Sequence, residues 1–372
     1  MKRIFFFFFL LGAIVGNAQG YEFTTVIDLQ ASPVISQGRT GTCWSFSSTS
    51  FLESEIIRLT GKDIDLSELY TVKKTYPAKM ENYIMRQGKA QLSEGGLAHD
   101  VLNAVRLHGL VPTEAYSGLV DVGTDRHDHS ELIAVLRSVA ETYVDNPSGR
   151  LSQKWRQVTG KILDVYLGED VPEFTYNGES YTPQSFLKMT QINPDDYVNL
   201  TSFAHQPFYA NFILNIPDNW SNGSFYNIPL DEFVAVINGA LDKGFTVELD
   251  CDVSEKTFSS KHGVAVVPKS KEDTKKSLSE PVPEKAIDQA YRQQEFESYA
   301  TTDDHLMHIT GTLKDQNGKT YYKVKNSWGT DKRRTTYDGY VYFSESYLRL
   351  KSISITVHKD ALSKELGKKL GL

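Results

Sequence analysis

The chain has 372 residues, with 40 Lys and Arg against 47 Asp and Glu, for a formal net charge of −7. With 40% hydrophobic and 23% charged residues and only two cysteines, it is not a disordered chain, a collagen-like repeat or a disulfide-dense scaffold. The acidic balance argues against broad nucleic-acid binding through a basic face, and the length allows one large core or two modest ones.

Lys2 and Arg3 precede an apolar run at 4–15, and Gly16, Asn17 and Ala18 follow it. A charged start, a short apolar stretch and small residues form the pattern of a removable export signal. The run is too short to span a bilayer, which needs ~20 helical residues. Residues 1–18 are therefore expected to be cleaved, leaving an exported protein, periplasmic or extracellular, that starts near Gln19. No later stretch approaches membrane-spanning length.

Residues 44–60 keep a 3.6-residue apolar rhythm through Phe46, Phe51, Leu52, Ile56 and Leu59, and Gly61 is a natural stop. A second helix is predicted over 98–108, after the turn signal Gly95-Gly96. One or two more helices are expected within 127–165. The aromatic, Asn/Pro/Gly-rich segment 174–229 predicts short strands. A helix follows at 231–243 and a buried strand at 246–249. The segment 269–285 is charged and poor in apolar residues, which predicts a solvated loop. A helix at 286–299 precedes strands at 305–313, 320–326, 340–343 and 351–357, and a lysine-rich helical tail closes the chain. Helices come first and strands last. That order predicts an α+β protein with a helical lobe, a sheet lobe and a cleft between them.

Cys43 sits in QGRTGTCWSFSS, immediately ahead of the first helix. A thiol at a helix start feels the positive end of the backbone dipole and unpaired N–H groups, both of which favour thiolate. Gln37, six residues earlier across a glycine turn, can fold back so that its amide and the Cys43 N–H make two donors for an oxyanion. A thiolate nucleophile also needs a base and a group to orient it. His305 and His308 lie three residues apart in one predicted strand and so point to opposite faces. His305 opens the strand and can reach a cleft, whereas His308 lies inside the run. Asn326, one hairpin later, can accept from one imidazole nitrogen and leave the other facing the thiol, with Trp328 as an apolar cover.

Gln, then Cys at a helix start, then His, then Asn-Ser-Trp-Gly in that order resembles the papain-like cysteine peptidases. The matching motifs are GxCW at 41–44, NSWG at 326–329 and the upstream Gln37. DLSELY (65–70), EGGLAHDVLNAVRLHGLVP (94–112), CDVSE (251–255), QQEFES (293–298) and HLMHITG (305–311) are similar to the bleomycin hydrolase and aminopeptidase C branch. The resemblance implies a papain-like two-lobe α+β fold over residues 19–372. The helical lobe would cover about 40–230, the β-rich lobe about 231–358, and a tail 359–372. It implies Cys43 as nucleophile, His305 as base and then acid, Asn326 as orienting group and Gln37 in the oxyanion hole. Gly95, Gly96 and Trp328 would contact a peptide or protein substrate. No cofactor or metal is implied, and a hexameric assembly occurs in the resembling branch.

The sequence departs from the pattern in three places. Thr40 stands where many secreted relatives carry a disulfide-forming Cys, and Leu306 replaces a small residue after the His. The ending KKLGL does not match the C-terminal arm that restricts the branch to amino-terminal cleavage. The expected activity is thus an exported cysteine peptidase, aminopeptidase-like. Endopeptidase or dipeptidyl-peptidase action on the same fold, and a non-catalytic peptide-binding module, are the alternatives. A transglutaminase-type acyl transfer would call for Asp where this chain has Asn326. Cys251 is read as a structural free thiol, and His127-Asp128-His129 as a polar loop.

Overall fold

A computed structural model describes residues 20–120 and 123–372. The expected export segment, 1–18, lies outside the described residues. Strand β1 (Phe23–Asp28) leads into helices α1 (Cys43–Thr60), α2 (Glu68–Met85), α3 (Ala98–His108), α4 (Ser130–Asp145) and α5 (Lys154–Leu167). A small hairpin of β2 (Phe174–Tyr176) and β3 (Glu179–Tyr181) precedes α6 (Pro183–Thr190). Then come β4 (Tyr197–Thr201), β5 (Asn211–Ile213), β6 (Ser224–Asn227), α7 (Leu230–Asp242) and β7 (Val247–Cys251). Short strands β8 (Phe258–Ser259) and β9 (Val264–Ala265) are followed by α8 (Gln289–Glu297) and the long strand β10 (His305–Asp315). The chain continues with β11 (Thr320–Lys325), β12 (Tyr340–Ser344), α9 (Glu345–Lys351), β13 (Ser352–His358) and α10 (Lys364–Leu370).

This is an α+β fold built on one 11-stranded sheet in the order β5-β6-β4-β13-β7-β10-β11-β12-β9-β8, with β1 added on β10. Strands β4, β5 and β6 join that sheet although they fall within the 40–230 segment. β10 is the hub. Its first residues pair with β7, its length with β11, and its far end with β1. Alternation along β10 sends Leu306 into one core, shared with α1, α2, α3 and α5. Met307 and Ile309 go into the other, shared with α7, α9 and α10. The two cores therefore lie on opposite faces of the sheet.

Helix α1 runs between the sheet and α2/α3 and is buried on nearly every side, including Ser45, Ser47, Ser50, Glu53 and Ser54. A fully buried polar helix needs partners for its side chains. Ser45 Oγ donates to the Glu68 carbonyl at 2.8 Å, and Ser54 Oγ to the Gln30 carbonyl at 2.9 Å. Gly61 ends the helix in the left-handed conformation (φ 69°), with its N–H on the Ile57 carbonyl.

Candidate active site

The chemistry-bearing residues occupy element ends that meet. Cys43 is the first residue of α1 and His305 the first of β10, while Asn326 directly follows β11. The antiparallel pairing of β10 with β11 places His308 opposite Lys325, which brings Asn326 level with the start of β10. His305 Nε2–H donates to Asn326 Oδ1 at 2.8 Å, leaving Nδ1 for another partner. Asn326 is fixed in turn: its Oδ1 also accepts the Ser327 N–H at 2.7 Å, and its own N–H donates to the Gly339 carbonyl at 3.1 Å. The Trp328 ring lies 4.9 Å from the imidazole, tilted by 37°, and covers a histidine that is only 4% exposed.

His308 is placed differently. It is fully buried beneath α1, its Nδ1 3.0 Å from Ser50 Oγ and its ring edge-on to Phe51. Lys325 shares the site, donating to Ser50 Oγ at 2.7 Å and Ser32 Oγ at 2.9 Å. A cavity of about 320 Å³ lies here, lined by Glu53, Glu68, His308 and Lys325. Burial pushes Glu53 up to about 7, against the pull of Ser32, the Leu66 N–H and Lys325.

Gln37 is 6% exposed and held at both ends. Its N–H donates to the Ser327 carbonyl at 2.8 Å, and its Oε1 accepts from Ser327 Oγ at 2.5 Å. One hydrogen of Nε2 donates to the Thr40 carbonyl at 2.7 Å, which leaves the second available. Thr40 thus braces the glutamine.

Two contributors were not legible in the sequence. Ser327 locks Gln37, and nothing about an Asn-Ser step announces that role. Glu94 holds the loop before the nucleophile: its carboxylate accepts the Gly41 N–H at 2.6 Å and its carbonyl accepts Trp44 Nε1–H at 2.8 Å. Gly95 and Gly96 follow directly. A Cβ on Gly96 would sit 3.1 Å from the Trp44 ring, and one on Gly95 only 2.1 Å from Asp218 Oδ2. A side chain at Gly95 would have to displace the Asp218 carboxylate, and one at Gly96 would press on the Trp44 ring.

Electrostatically, burial works against the thiolate that a helix start favours. Cys43 does open a helix, with no acidic residue in the first turn and no side-chain cap on Thr42. Even so, burial pushes its thiol up to about 12. The Leu306 N–H opposes that shift, and the charges of Asp218, Asp303 and Asp250 add to it. Burial also holds the His305 imidazole down at about 4, against the Asn326 hydrogen bond. Burial thus works against the charged form of both groups, in a cysteine residue that is half-buried overall.

Cys251 is free, fully buried and paired with His305 in the sheet register; its S–H donates to the His305 carbonyl at 3.5 Å. His129 is buried at the start of α4 rather than in an exposed loop, and desolvation holds it at about 4. Among the described residues no cluster of three His, Cys, Asp or Glu could hold a metal ion, and no helix is long and apolar enough to cross a membrane. The final helix, α10, buries Leu366 and Leu370 in the core that faces away from α1.

The model of the peptidase C1-like family matches residues 165–371, and that of the papain family cysteine proteases matches residues 25–144. The chain is 25% identical over 378 residues to aminopeptidase C of Lactococcus lactis subsp. cremoris, covering 91% of this chain and 83% of that protein. It is 23% identical over 398 residues to the mitochondrial cysteine proteinase 1 of Saccharomyces cerevisiae (strain YJM789), covering 93% and 79%. The crystal structure of PepW from Lactobacillus rhamnosis HN001 superposes with a TM-score of 0.73 at 20% identity, covering 94% of this chain and 84% of that one, a likeness of fold. With more than half of its length matched by one family model, the chain belongs to the peptidase C1-like family and is a cysteine-type peptidase of the papain and aminopeptidase C kind.

Proposed function

We propose that the protein is an exported aminopeptidase-like enzyme that hydrolyses peptide bonds through Cys43, His305 and Asn326, with Gln37 in the oxyanion hole. The observation that carries this reading is the 2.8 Å bond from His305 Nε2–H to Asn326 Oδ1, beside a cysteine that opens a helix. The bond fixes the tautomer and leaves His305 Nδ1 free to take a proton.

In the acylation step the thiol proton passes to His305 Nδ1 as Sγ attacks the scissile carbonyl carbon. The pair becomes charged only as the carbonyl oxygen gains charge, so the low-dielectric site stabilises the transition state more than the ground state. The oxyanion is met by the Cys43 N–H, which as the first residue of α1 has no intrahelical partner, and by the remaining hydrogen of Gln37 Nε2. Imidazolium then protonates the leaving amine. Water, deprotonated by the same nitrogen, hydrolyses the thioester and restores the thiol.

Aminopeptidase action is drawn from the names of the relatives. Export is drawn from the pattern of residues 1–18. The test is hydrolysis of a fluorogenic aminoacyl amide by the wild type, Cys43→Ala, His305→Ala and His308→Ala. Cys43→Ala and His305→Ala should be inactive. Full activity in Cys43→Ala overturns the mechanism, and an active His305→Ala enzyme moves the base to His308. Amino-terminal sequencing of protein recovered outside the cytoplasm tests export: an intact Met1 there, or retention inside, overturns it.

A further inference from the structure

Three arginines from distant parts of the chain border the active site on one side. Arg39 follows Gln37 by two residues, Arg126 lies in the loop ahead of α4, and Arg334 in the loop between β11 and β12. With Gln37 and Trp328 they line an open cavity of about 500 Å³. Backbone pairing brings their segments together. The Arg39 N–H donates to the His127 carbonyl at 2.8 Å and the His129 N–H to the Arg39 carbonyl at 3.2 Å, which stitches the Arg126 loop to the Gln37 segment. The Thr335 N–H donates to the Asp331 carbonyl at 3.0 Å, and Thr335 Oγ1 accepts the Gly339 N–H at 2.9 Å. The Arg334 loop is thereby tied to the residue whose carbonyl holds Asn326.

The charge of this cavity runs against that of the molecule. The whole chain carries −7, yet the cavity walls hold three guanidinium groups and one carboxylate, Glu94, which is already engaged by the Gly41 N–H at 2.6 Å. Among the described residues neither Arg126 nor Arg334 forms an ion pair. Asp331, the acid nearest Arg334 in sequence, is bonded to Arg333 at 2.8 Å, and Arg39 meets Asp128 only in an exposed pair at 3.4 Å. A guanidinium presents a fork that fits the two oxygens of a carboxylate. The reaction sets which part of a substrate lies here. The leaving amine takes its proton from His305, which the Trp328 ring covers at 4.9 Å, and the oxyanion lies at Gln37. A cavity walled by both residues receives the chain beyond the cleaved bond.

We propose that Arg39, Arg126 and Arg334 form a subsite for a carboxylate on the leaving side of the substrate. This rests on the reading of Cys43 and His305 as the reacting pair and gives that site a substrate class: peptides whose departing part carries an acid close to the cleaved bond. The acid is either an Asp or Glu side chain or the chain's own terminal carboxylate, as in a very short peptide. The same charges repel a Lys or Arg at that place, which adds discrimination without any new contact. All three arginines are exposed, so the attraction acts partly through solvent and weakens with salt.

The test uses peptides that share one acyl part, the one the wild type releases fastest from coumarylamides, and differ beyond the cleaved bond: Glu amide, Gln amide, Lys amide, and Gln with a free carboxylate. Released product is followed by chromatography at low and high salt. The expected result is a kcat/KM for at least one carboxylate-bearing peptide about 5- to 10-fold above that for the Gln amide, the sum of two or three exposed charge contacts, and shrinking as salt is added. The double variant Arg126→Gln, Arg334→Gln should bring that ratio close to one. Arg334→Glu should shift the preference toward the Lys amide, a gain that a misfolded protein does not show. A preference for the Glu amide assigns the site to a side chain, and one for the free Gln assigns it to the chain end. A wild type that cleaves the Gln amide as well as both carboxylate peptides, or a preference that persists in both variants, overturns the subsite alone. A wild type that cleaves none of the peptides overturns it together with the mechanism, and turnover by Cys43→Ala overturns the nucleophile.

Discussion

His305 and Asn326 stand 2.8 Å apart, nitrogen to oxygen, across the antiparallel pair β10 and β11. The sheet register, rather than a flexible loop, determines which imidazole nitrogen faces the thiol. Asn326→Ala removes that constraint without touching the sulfur or the base. Because small misplacement of a reacting group is costly, kcat should fall by about 10²-fold with KM little changed. Steady-state kinetics of the variant checks this; a kcat within a factor of two of wild type would show that the bond does not orient the ring.

Gln37 is pinned by Ser327 and Thr40, so its free N–H is aimed before substrate arrives. Gln37→Ala should lower kcat by about 10²- to 10³-fold, the usual loss for one oxyanion donor. Iodoacetamide alkylation of Cys43, which forms no oxyanion, should proceed at nearly the wild-type rate. Equal losses in both assays would place Gln37 in the packing of the loop instead.

A methyl group at residue 95 collides with the Asp218 carboxylate at 2.1 Å. Gly95→Ala should therefore displace Asp218 and cost about 1–3 kcal/mol, as overpacking commonly does. Gly61→Ala, with no atom within 4 Å but a φ of 69°, should cost less, about 1 kcal/mol, through backbone strain alone. Thermal melts of the two variants rank them; a Gly95→Ala protein as stable as wild type would mean that the loop yields freely.

His305 must be uncharged to accept the thiol proton, and burial holds it at about 4, below the ordinary 6.5. The acid limb of kcat/KM should accordingly have its midpoint nearer pH 4 than 6.5. A depressed folded-state value also means that the unfolded chain binds the extra proton first. The stability contribution of His305 is complete above about 6.5 and is lost as pH falls toward 4. Activity measured from pH 4 to 8, with melts at each point, separates the two effects. An acid midpoint at or above 6.5 in folded protein would contradict the depressed His305 value.

The helix holding Cys43 and the hairpin holding His305 and Asn326 were legible because each has strong local periodicity and an unambiguous stop. Helix α3 matches its expected span. Helix α2 was not legible: Lys73, Lys74 and Lys79 break its apolar rhythm and Pro77 interrupts it, yet Lys73 and Lys79 are buried and bond to carbonyls. Strand β1 was missed because its burial comes from pairing with the far end of β10, a contact nearly 300 residues away in sequence. Part of the charged 269–285 segment also packs down, with Tyr21 OH donating to the buried Ser277 carbonyl at 2.8 Å. The same reason hides Asp218, Asp250 and Asp303. Each is unremarkable in its own segment, and only the fold brings them together near one sulfur.

The helix that begins at Cys43 starts without a side-chain cap on Thr42. Keeping its first N–H groups free for a reacting oxygen leaves the steadying of this helix start to a single remote residue, Glu94, through Gly41 and Trp44. Warming should therefore extinguish turnover several degrees before the sheet gives way, making catalysis itself the most sensitive thermometer of this fold.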